Sequence, residues 1–77
     1  MKDIKPHIGK NIIRTRNLLG IKQEVIATYL GKTQSEISII EKSQEIDFDL
    51  MQQIALAMNV TTDTIRAFDE NFAFIHT

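Results

Sequence analysis

The chain has 77 residues, 43% of them hydrophobic and 25% charged, with no cysteine and a formal net charge of -1. A polypeptide this short buries only about 60% of the surface that its unfolded form exposes, which leaves room for one modest core and none for a separate catalytic domain. The lack of cysteine removes disulfides, thiolate nucleophiles and cysteine-based zinc sites, and cytoplasmic is the expected location. Apolar runs such as Ile12-Ile13, Leu18-Leu19 and Ile39-Ile40 are far below the roughly 20 residues of a membrane span, and the charged start Met1-Lys2-Asp3 does not read as a leader.

Pro6, Gly9, Gly20 and Gly31 are the breaks in an otherwise helical pattern. From Ile8, the residues Ile12 and Leu19 share a face at spacings of four and seven, and Gly20 sits where a left-handed terminator belongs, so helix one is expected over about Pro6 to Leu19. Gln23 to Leu30 places Ile26, Ala27 and Leu30 on one stripe and stops at Gly31. Thr33-Gln34-Ser35-Glu36 is a capping box, which starts helix three at Gln34 and carries it to about Lys42. Asp47 is the next N-cap, with Ile46 and Met51 spaced as a hydrophobic staple, and Leu50, Ile54, Ala57 and Met58 form helix four up to Asn59. Val60, Thr61 and Ile65 repeat the staple and cap for a short helix five through about Phe68. Residues 1–68 are thus expected to form one compact all-α domain of five helices, with 69–77 as a tail.

Helices two and three are joined by only Gly31, Lys32 and Thr33, so they must cross steeply, and small Ala27 with Gly31 permits that approach. This is helix-turn-helix spacing. In combination, Ile8-Gly9, Arg16, Gly20-Ile21-Lys22-Gln23-Glu24, Ala27, Leu30-Gly31-Lys32-Thr33-Gln34, Ile37-Ser38 and Ile40-Glu41 resemble the lambda-repressor-like, XRE/Cro-type transcriptional regulators over about Ile8 to Phe68. Leu50 to Val60 resembles the fourth helix of that family and its exit.

The resemblance implies a five-helix fold in which helix three enters the major groove of double-stranded DNA. With Ile37, Ile40 and Glu41 facing the protein, the helical period turns Gln34, Ser35, Ser38 and Ile39 outward as candidate base contacts. A glutamine can bond adenine N6 and N7 together, serines discriminate less, and Ile39 offers apolar contact to a thymine methyl group. Lys22, Gln23, Lys32, Thr33, Lys42 and Lys10 are candidate phosphate contacts flanking that helix, Gln23 through its amide and the orphan N–H groups at a helix start. The resemblance further implies that Arg16 and Glu41 form a structural ion pair between helices one and three.

The charge map qualifies the small net value. Residues 1–22 hold six Lys/Arg and one acid, a sum of +5; residues 23–42 sum to -1; residues 43–77 hold one Arg and six acids, a sum of -5. A basic N-terminal third can meet phosphate while the acidic half stays away. Glu45, in the loop after the reading helix, would repel phosphate there. That loop either turns from DNA or belongs to a domain that binds a protein instead, an antitoxin-like or other protein-interaction module on a helix-turn-helix scaffold that uses its acidic C-terminal half.

The stretch from Phe68 to Thr77 holds three of the four phenylalanines. Phe68, Phe72, Phe74 and Ile75 are expected either to pack back over helices one and five or to form the contact of a homodimer, because one such domain covers a half-site. The tail also fits the start of a further segment. Catalytic readings are poor: His7 and His76 stand at opposite ends, no nucleophile or phosphate-loop motif occurs, and Asp47-x-Asp49 without a following glycine is no calcium loop. Neither enzyme activity nor a cofactor or metal is expected. The regulator is expected to repress.

Overall fold

The computed structural model describes residues 6–68, which form five helices and no strand: α1 (Ile8–Leu19), α2 (Gln23–Leu30), α3 (Gln34–Glu41), α4 (Phe48–Met58) and α5 (Thr62–Arg66). Caps explain most boundaries. Gly20 and Gly31 take left-handed backbone, φ 70° and 67°, and end α1 and α2, while Asn59 at φ 59° ends α4. Asp47 accepts the Leu50 N–H at 2.8 Å and Thr61 accepts the Thr64 N–H at 3.1 Å, so each starts a helix with its own side chain.

The first and last helices each differ from expectation at one boundary. Helix α1 begins at Ile8 rather than Pro6, because His7 keeps extended backbone and its Nδ1 accepts the Lys10 N–H at 3.1 Å. Helix α5 stops at Arg66 rather than Phe68, where the buried side chain of Asn11 donates to the carbonyls of Ile65, at 2.8 Å, and Arg66, at 3.4 Å. Asn11 thus satisfies carbonyls that a helix end leaves open and ties α5 to α1.

The core draws on every helix: Ile8 and Ile12 from α1, Ile26 and Ala27 from α2, Ile37 from α3, Met51, Ile54, Ala55 and Met58 from α4, and Ile65 from α5. Each fully buried isoleucine contributes about 1.5–3 kcal/mol relative to exposure. The staple residues Ile46 and Val60 pack against this cluster at the entries to α4 and α5. Helix α4 packs on α2 and α5, α1 packs on α3 and α5, and α2 packs on α3, so α3 rests against both α1 and α2.

The α1–α3 contact is unusually close. The N–H of Ile8 donates to Gln44 O and that of Gly9 to Ser43 O, both at 2.9 Å, so the first turn of α1 is capped by the carbonyls that follow α3. A Cβ at Gly9 would lie 2.3 Å from the Glu41 carbonyl oxygen and 2.8 Å from that of Ser43. Only glycine allows the backbones to meet here, which fixes the C-terminal end of α3 against the start of α1.

Among the described residues, no helix is long and apolar enough to cross a membrane, and no cluster of potential metal ligands occurs.

Candidate nucleic-acid interface

The turn between α2 and α3 closes on hydrogen bonds from the Gly31 N–H to Thr28 O (3.2 Å) and from the Lys32 N–H to Ala27 O (2.9 Å). Thr33 then caps α3 reciprocally: its hydroxyl accepts the Glu36 N–H at 3.1 Å, and its own N–H donates to Glu36 Oε1 at 2.8 Å. That backbone bond, followed by the one from the Thr33 hydroxyl, holds the Glu36 carboxyl below its ordinary pKa. Helix α3 therefore starts, at Gln34, from a reciprocally hydrogen-bonded cap.

Along α3 the period separates two faces. Ile37 and Glu41, four residues apart, are buried, and Ile40 packs against the core. Gln34, Ser35 and Ile39 are exposed, Ile39 at 65%, while Ser38 is half-buried at the margin. Lys42 terminates the helix, making α3 eight residues long rather than the nine expected.

Helix α2 starts differently. Among the described residues it is the one helix whose N-cap side chain, here Lys22, accepts no hydrogen bond; His7, Thr33, Asp47 and Thr61 all cap theirs. No side chain caps its first N–H groups, and Glu24 in the first turn already complements the dipole there.

Gln23, the first residue of α2, faces inward as well as outward. Its Nε2 donates to Glu41 Oε1 at 2.9 Å, and its Oε1 accepts from Gln34 Nε2 at 3.5 Å. Behind it, Arg16 Nε donates to Glu41 Oε2 at 2.8 Å and Arg16 Nη2 to Oε1 at 3.4 Å, with the side chains only 14% and 4% exposed. Arg16 also donates to Ile21 O at 3.2 Å. The four polar side chains run from the α1–α3 seam to the start of α3. Sequence reasoning places Gln23 at the backbone and Glu41 in an ion pair, but it misses the bond between them, because residues 18 apart meet only once α2 and α3 have crossed.

Of the remaining candidates, Lys32 and Thr33 lie in the turn. Lys42 and Lys10 are exposed at the opposite end of α3, where the first turn of α1 bonds to Ser43 and Gln44. Glu45 accepts from Arg66 Nη2 at 3.0 Å and so is held toward α5. Phe68 is half-buried at the end of the described chain; Phe72, Phe74 and Ile75 lie outside the described residues.

The helix-turn-helix family matches residues 12–65. The chain belongs to the XRE-type, lambda-repressor-like helix-turn-helix family. Its match spans α2, the turn and α3, and extends through α4 into α5. This is a DNA-binding regulator of the helix-turn-helix kind. No curated protein and no solved structure matches the chain.

Proposed function

We propose that this helix-turn-helix protein binds double-stranded DNA sequence-specifically, as a cytoplasmic homodimer that represses transcription, with α3 in the major groove. The observation that carries this reading is the pairing of an uncapped helix start at α2 with an exposed polar edge on α3, bridged by Gln23 and Gln34. A helix of eight residues is about 12 Å long, which suits a major groove about 12 Å wide.

In this reading Gln34 bonds adenine, Ser35 and Ser38 contact adjacent base edges, and Ile39 packs on a thymine methyl group. The N–H groups at the start of α2, together with Lys22, Gln23, Lys32, Thr33, Lys42 and Lys10, hold phosphates and fix the register. Arg16 and Glu41 support α3 from behind. The pairing of exposed Glu45 with Arg66 offsets part of that acid's charge at the loop. Two copies paired through Phe68 and the segment after it would read half-sites about 34 Å apart.

A second reading rests on α4, which exposes Phe48 and Leu56 within the acidic half, a combination suited to a protein partner. Selection from a random duplex library at low salt, followed by titration across salt, separates the two. The DNA reading predicts an enriched two-half-site motif and affinity that falls as salt rises. No enriched motif and no salt-dependent affinity would overturn it in favour of the protein partner.

A further inference from the structure

We infer that residues 69–77 dock on the outer edge of α1 of their own chain, with Asp69 and Glu70 beside Arg14 and with Phe72 and Phe74 over Leu18 and Leu19. The sequence leaves two roles open for this segment, return to the domain or pairing of copies, and the fold favours return. Asn11, buried in α1, donates to the carbonyls of Ile65 and Arg66, and Phe68, two residues further on, is half-buried. The chain therefore leaves α5 against α1.

The far end of α1 lacks a matching cover. Ile8, Ile12 and Thr15 are buried along one line of the helix, and Leu19 continues that line four residues later, yet it is 41% exposed. Its neighbour Leu18 is 40% exposed. Arg14 and Leu18, four residues apart, flank buried Asn11 and Thr15 and so share the edge of α1 that meets α5. Among the described residues Arg14 forms no ion pair; its one side-chain bond is to Asn11 Oδ1 at 3.4 Å.

The segment after Phe68 carries the complementary groups in the same order, first Asp69 and Glu70, then Phe72, Phe74 and Ile75. The reach also fits. Asn11 and Leu18 are about 10 Å apart along the helix axis at 1.5 Å per residue, and the four residues from Phe68 to Phe72 span about 13 Å when extended. Extended backbone puts Phe72 and Phe74 on one side. A tether this short holds the segment at an effective concentration of about millimolar, which favours its own α1 over that of a second copy.

The absence of cysteine lets His76→Cys carry a single nitroxide label on the full chain. The amide signals of Leu18, Leu19 and Gly20 are expected to be largely lost from its nitrogen-15 NMR spectrum and to return when the label is reduced. Those of Phe48 and Leu56 on α4 should lose less. Phe72→Ser with Phe74→Ser, and separately Arg14→Gln with Leu18→Gln, should restore the α1 signals; the first pair lies outside the helices and covers the case in which the second does not fold. Mixing labelled protein without nitrogen-15 into unlabelled nitrogen-15 protein, at the same total concentration, should produce no loss. Losses that centre on α4, spread evenly along the chain or survive both sets of substitutions would overturn the docking. Equal losses in the mixed sample would overturn its intramolecular form and leave the pairing role proposed above standing. No outcome depends on DNA binding, so the groove reading is tested separately.

Discussion

Among the described residues are two arginine–glutamate pairs of nearly equal length, Arg16–Glu41 at 2.8 Å and Arg66–Glu45 at 3.0 Å, with opposite consequences. The first lies in the α1–α3 seam, 14% and 4% exposed, with Gln23 and the Ile21 carbonyl completing its hydrogen bonds. The second stands in solvent, 46% and 54% exposed, where water and salt screen it and ordering two long side chains offsets much of the gain. Distance therefore says little about energy here. What separates the pairs is burial and the company each keeps: removing one member of the inner pair leaves a buried charge without its counter-ion, whereas removing one member of the outer pair returns a charge to water.

The sharpest way to break this comparison is to cut each pair at its arginine. Arg16→Ala should destabilise the domain by about 3 kcal/mol in chemical denaturation, the low end for a broken buried pair, because Gln23 still donates to Glu41. Arg66→Ala should cost no more than about 0.5 kcal/mol, and that difference should shrink as salt is raised. Equal losses would mean that burial does not separate the pairs.

A smaller effect than that of Arg16→Ala comes from the same seam without touching charge. Gly9→Ala drives a methyl group against the Glu41 and Ser43 carbonyls and should cost about 2 kcal/mol, with the backbone of the α1–α3 junction displaced. Amide shifts on NMR spectra concentrated at Glu41, Ser43 and Gln44 would locate that displacement. A stabilised variant, as expected for an ordinary helical Gly→Ala change, would show that the close approach is not real.

Most of the architecture was legible because its signals are local. Thr33 and Glu36, Asp47, Thr61, the two glycines at 20 and 31, and Asn59 announce helix ends within a few residues, and the apolar period announces the buried faces between them. The helix-turn-helix was readable for the same reason, since three linking residues leave little choice of crossing. Errors fell where a local preference met a competing contact. Proline favours a helix start, but His7 captured the Lys10 N–H and became the cap; Asn11 closed α5 early from 54 residues away.

The candidate site was legible as a set of outward positions on α3, and much less so as a connected object. Nothing in the order of residues says that Gln23 faces Glu41, because that bond exists only after α2 and α3 pack. Gly9 did leave a trace: glycine inside a helix costs about 1 kcal/mol relative to alanine, so its presence in a first turn signals a backbone approaching closely.

The central claim is that α3 reads bases from its exposed edge while the flanking positions only hold the backbone. Binding of Gln34→Ala and Lys22→Ala to a panel of duplexes, each differing from the selected site at one base pair, tests it most directly. Gln34→Ala should lose about 1–3 kcal/mol of discrimination at one base pair and little elsewhere, whereas Lys22→Ala should weaken every duplex alike and reduce the salt dependence. Uniform weakening by both substitutions would contradict the claim and remove Gln34 from the base-reading surface.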